Sequence, residues 1–109
     1  MATTKTIKVV DAESMGATFN GTSASLRHAN GYALQFIWSA GSTPTGTVKL
    51  QASLDDSTWD DITGASESVS GSSGSVTFNA PNAFYHYVRP VYTRSGGTAT
   101  ANAYITIKG

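Results

Sequence analysis

Asp55, Asp56, Asp60 and Asp61 bracket Trp59 and form the densest group of ionisable side chains in the chain. Hard cations such as calcium take several oxygen ligands, and a carboxylate-rich turn offers them. This spacing, however, lacks the glycine and the closing glutamate of an EF-hand loop, and Asp and Ser are ordinary turn formers. The expectation is a solvated turn and no metal, with these four aspartates as the weak candidates for one. Paired carboxylates also serve as the acid and base of glycosidases, but there they face each other across a cleft. Neighbouring residues on a hairpin point to opposite faces, which disfavours that chemistry here. His28 and His86 are the only side chains that ordinarily titrate near neutrality, and neither sits in a motif. The G-x-S-x-G elbow and the glycine-rich phosphate loops are missing. The chain therefore reads as no enzyme, with no catalytic residue and no cofactor.

The aromatic residues offer a second chemistry, the stacking platform of a carbohydrate-binding surface. Most fall on the inward phase of their segments, so Phe36, Trp38, Trp59 and Phe78 are expected in the core. Tyr85, Tyr87 and Tyr104, with Arg89 and Arg94 near them in sequence, are the candidates for an interface, where Tyr and Arg concentrate.

The elements that position these residues read as strands. No long stretch keeps the apolar period of a helix, whereas alternation is frequent. Tyr32, Leu34, Phe36 and Trp38 share one face of a central strand; Val48, Leu50, Ala52 and Leu54 share one face of another. Ala40 to Gly46 between them holds two glycines and a proline, and predicts that the two runs form a hairpin. Further turns fall at Asp55 to Thr58, before a strand from Trp59 to Ile62, and at Ser70 to Gly74, before one from Ser75 to Asn79. Arg94 to Gly97 is expected to join two final strands, Phe84 to Thr93 and Thr98 to Lys108. On the last of these, Ala99, Ala101 and Ala103 predict close packing against a bulky neighbour, Trp38 or Trp59. Pro90 lacks a ladder donor, so its strand is expected at a sheet edge or with a bulge. Thr6 to Val10 and Thr22 to Arg27 read as edge strands joined by a polar connection. Turns recurring about every ten residues predict an all-β fold, a single antiparallel β-sandwich of about eight strands, jelly-roll-like, with an immunoglobulin-like sandwich as the alternative. One domain is expected over residues 1–109, with 1–20 as an extended N-terminal arm or an edge strand.

Composition narrows the function classes. Seven basic and seven acidic residues balance, and no Lys/Arg cluster is long enough to track a phosphate backbone, so nucleic acid is not expected as a partner. Charged residues are only 13% of the 109 and cysteine is absent, so the surface is wetted by Ser and Thr and the fold stands on packing. No segment approaches membrane-spanning length, and no export signal opens the chain. The expectation is a product of the cytoplasm with no membrane partner.

From Gly46 through Leu50, Gln51, Ser53 and Asp55 to Trp59, Asp60, Asp61 and Ile62, the chain resembles small virion proteins of tailed bacteriophages. The segments Leu34 to Trp38, Tyr87 to Thr93 and Ala101 to Gly109 extend the likeness over residues 32–109, with Pro90 departing from an expected apolar residue. The resemblance implies a β-sandwich virion structural protein without catalytic residues. It looks like a capsid decoration or cement protein, which binds and stabilises the major capsid protein lattice. The partners so implied are the major capsid protein or other virion proteins. A homodimer or homotrimer at a symmetry axis is expected, and the location is the virion. The alternative is a tail or fibre accessory module that binds carbohydrate.

Overall fold

In the computed structural model, which describes residues 4–26, 31–80 and 86–108, the alternating segments become antiparallel ladders. The strands are β1 (Thr4–Ser14), β2 (Phe19–Asn20), β3 (Ala24–Ser25), β4 (Gly31–Ser53), β5 (Asp60–Val69), β6 (Gly74–Ala80) and β7 (Tyr87–Lys108). No helix occurs among the described residues.

Two long strands organise the whole. Residues 31–39 of β4 pair with 100–108 of β7, and residues 46–53 of β4 pair with 87–94 of β7. Between these stretches the register slips at Ser39/Ser42, Ser42/Thr45 and Thr45/Gly46. At the bend Ala40 (φ 54°) and Thr43 (φ 46°) enter the left-handed region. Gly97, facing them at φ 69°, has no room for a Cβ against the Thr43 carbonyl. The two-stranded ribbon therefore doubles over. β6 extends the first half beyond β4, and β5 extends the second. Beyond β7, β1 lines the first half while β2 and β3 together line the second.

Split at the bends, the described residues give eight segments. The first sheet runs β1, 98–108, 31–39, β6, and the second runs β2/β3, 87–94, 46–53, β5. In segment numbers these orders are 1-8-3-6 and 2-7-4-5, a four-stranded ribbon rolled into the jelly roll expected from the sequence. An immunoglobulin sandwich instead pairs its first strand with its second. The inner faces meet through aromatic rings. Phe36 of the first sheet lies 6.1 Å from Tyr92 and 6.4 Å from Phe19 of the second, centroid to centroid. Tyr32, Leu34, Phe36 and Trp38 are buried as their alternation required, and Ala103 and Ala101 lie opposite Phe36 and Trp38 in the ladder.

Several sequence expectations need correction. Residues 32–38 and 47–53 are not hairpin partners, because Ala40 to Gly46 is a bulged bend within β4. Arg94 to Gly97 is likewise a bend within β7. Leu54 does not join the core: β4 ends at Ser53, and Leu54 is 66% exposed. Pro90 sits inside a strand with neighbours on both sides rather than at an edge. Its carbonyl accepts from Gly21 N at 2.7 Å, so the position of its missing N–H also faces the β2/β3 side. There the outer strand breaks over residues 21–23, between β2 and β3. The partner ladder is interrupted instead of the proline strand being exiled. The connection expected from Asp11 to Asn20 is strand as far as Ser14, with register slips around Val10 and a positive φ at Ala12. Met15, just beyond, is fully buried.

Candidate interaction surface

The second sheet turns a row of polar side chains outward. On β4, Lys49 and Gln51 alternate with the buried Val48 and Leu50; on β7, Arg89 lies between the buried Val88 and Pro90. Register places Gln51 opposite both Arg89 and Asp61. Arg89 donates from Nε and Nη2 to Gln51 Oε1 at 3.0 and 2.8 Å. Gln51 Nε2 then donates to Asp61 Oδ1 at 3.0 Å, and Lys49 Nζ donates to Asp61 Oδ2 at 3.1 Å. Those two donors hold the Asp61 carboxyl below its ordinary pKa, the Gln51 contact contributing most. The Arg89 guanidinium also lies 4.3 Å from the centre of the Trp59 ring, within cation–π range. Trp59, Arg89, Gln51, Asp61 and Lys49 thus form one connected row across three adjacent strands.

Trp59 was expected in the core. It is half-buried on the outer face instead, and Arg89 is what covers it. The sequence pointed to Asp61 and Arg89 separately but missed that Lys49 and Gln51 link them, a link that the β4–β5 and β4–β7 registers together reveal.

The interface candidates divide between opposite sides of the molecule. Tyr87 and Arg89 are half-buried on the second sheet; Arg94 is exposed at the bend, where its Nε donates to Gly97 O at 2.9 Å. Tyr104 is exposed on the first sheet, with the Lys8 ammonium 5.5 Å from its ring centre. Tyr85 and His28 lie outside the described residues. His86 is exposed, and its backbone N–H donates to Ser53 O at 3.1 Å.

The four aspartates do not converge. Asp55 Oδ1 accepts from the backbone N–H of Thr58 at 2.8 Å and of Ser57 at 2.9 Å, and from Ser53 Oγ at 2.9 Å. These bonds, those from Thr58 and Ser57 foremost, hold the Asp55 pKa down at about 2. Asp60 and Asp61, opposite Ala52 and Gln51, point to opposite sides of their strand. Among the described residues no three His, Cys, Asp or Glu side chains gather as metal ligands would. The row presents hydrogen-bonding side chains and a part-covered ring on the outer face of the second sheet.

No family model matches the chain, and no curated protein matches it. Solved structures do. The SPBc2 prophage-derived protein YomS is similar over 97% of this chain and 95% of its own, at 12% identity and a TM-score of 0.61. A chain in the structure of infectious bursal disease virus, Gx strain, is similar over all of this chain but 32% of its own, at 12% identity and a TM-score of 0.62. A CBM4 carbohydrate-binding module matches 83% of this chain and 60% of its own, at 18% identity and a TM-score of 0.50. At such identities the likeness shows the fold alone, an all-β sandwich used by a prophage-derived protein, a viral chain and a carbohydrate-binding module.

Proposed function

We propose that this chain is a non-enzymatic virion structural protein of a bacteriophage, a capsid decoration or cement protein that binds the major capsid protein lattice. The observation that carries this reading is the likeness in fold to the prophage-derived protein, which extends over 97% of this chain and 95% of that one. The polar row supports the same reading. It is a broad outward patch whose groups are already hydrogen-bonded to one another, suited to contact over an area. Many modest contacts, repeated over a lattice, give firm attachment through valency.

Quantitative mass spectrometry of purified particles tests this. A copy number in fixed ratio to the major capsid protein is the expected result. A few copies per particle would assign the protein to the tail, and absence from particles would sink the virion reading altogether.

A second reading, a carbohydrate-binding accessory module of a tail or fibre, is favoured by the half-exposed Trp59 ring among polar neighbours and by the CBM4 likeness. Arg89 already occupies ring surface that a sugar would need. Glycan-array binding that disappears in Trp59→Ala would move the assignment to this reading.

A further inference from the structure

Every open sheet leaves edge strands with unpaired N–H and C=O groups, and proteins blunt those that must not pair. Among the described residues, three of the four edges are blunted. β1 carries exposed Lys5, Lys8, Asp11 and Glu13 and loses register twice. β2 and β3 are two residues each and separated by a break. β5 presents Asp60, Asp61 and Glu67, loses register against β4, and turns through Gly64 at φ 82°.

β6 is the exception. Gly74–Ala80 contains no charged residue and no proline, and has no positive φ. All seven residues pair with β4 without a slip, from Gly74 opposite Trp38 to Ala80 opposite Tyr32. Among the described residues β4 is the only strand paired with it, so its other edge is a straight row of backbone donors and acceptors.

We infer that this edge is a self-association site at which β6 of a second copy adds antiparallel across a two-fold axis, joining two first sheets into one. The sequence of β6 is complementary to itself in that arrangement. With the axis at Thr77, Thr77 faces Thr77, Ser75 faces Asn79, and Val76 faces Phe78. Polar side chains meet on the exposed face, apolar ones meet on the inner face, and no like charges oppose one another. A partner strand of another protein would satisfy the backbone equally, but the matched pairs on both faces favour a second copy, and a two-fold contact closes instead of propagating. The inference is independent of the virion reading, since it concerns the isolated chain.

Sedimentation equilibrium of the full chain over a concentration series tests it, with circular dichroism to confirm folding. The unaltered chain is expected to fit a monomer–dimer equilibrium. Thr77→Lys, at an exposed position that sets two cations face to face, is expected to raise the dissociation constant at least tenfold. Ser66→Lys, the same charge change on the β5 edge, is expected to leave it unaltered. Hydrogen exchange on the unaltered chain supplies a readout that needs no variant: amides of residues 74–80 should slow as concentration rises while those of β1 do not. A chain that stays monomeric throughout, or a dimer or trimer indifferent to Thr77→Lys, overturns the proposal.

Discussion

Asp55 lies in an exposed turn yet has an acidity far from that of a free carboxylate, because the Thr58 and Ser57 backbone N–H groups and the Ser53 hydroxyl all donate to its ionised form. A carboxyl whose pKa falls on folding adds stability above the unfolded-state value of 3.8. That contribution is lost as pH falls through about 2. Asp55→Ala is therefore expected to unfold at lower denaturant than the parent at pH 7, with the gap narrowing between about pH 4 and about pH 2. Denaturation midpoints across that range check this; a gap that stays constant would show that the turn draws nothing from the charge. The same turn shows that a carboxylate cluster in sequence need not converge in space. Of the four aspartates, Asp55 caps its own backbone and Asp61 pairs with Lys49 and Gln51.

At the scale of the strands, alternation was legible wherever a segment had one wet and one dry face, as from Tyr32 to Trp38. Turn chemistry was legible too, but it specifies a change of direction and not the strand that will lie alongside. Ala40 to Gly46 and Arg94 to Gly97 bend facing strands together, so each reads locally as a hairpin, while the true partners lie far apart in sequence. Trp59 was misplaced for a related reason. It stands two residues before Asp61 and so shares the outward face of that carboxylate, a phase that its large apolar ring hid and that the pairing of Asp61 with Gln51 reveals. Pro90 and Gly21 show such a long-range fit closely, since a Cβ on Gly21 would lie 2.5 Å from the Pro90 ring. Gly21→Ala is expected to cost about 1–3 kcal/mol through overpacking. Adding Pro90→Ala should return part of that loss, read as a non-additive double-mutant cycle in thermal or chemical unfolding. Additive costs would mean that the ring and the break in the outer strand are unrelated.

For the whole molecule, the rings of Phe19, Phe36 and Tyr92 stand where the two inner faces meet, with Phe19 and Tyr92 5.7 Å apart. Phe36 is fully buried, and Phe36→Ala is expected to cost about 3–5 kcal/mol. Fluorescence and far-ultraviolet dichroism should still report one coincident transition, because the cavity would weaken both sheets together; two separate transitions would contradict that coupling. The doubled ribbon has a mechanical corollary. β4 and β7 each pass from one sheet into the other as one strand bent at its middle, so a pull on either layer is transmitted to its counterpart along covalent backbone. Prising the layers apart would require unbending two peptide chains at the corner, where an apolar seam alone would simply slide.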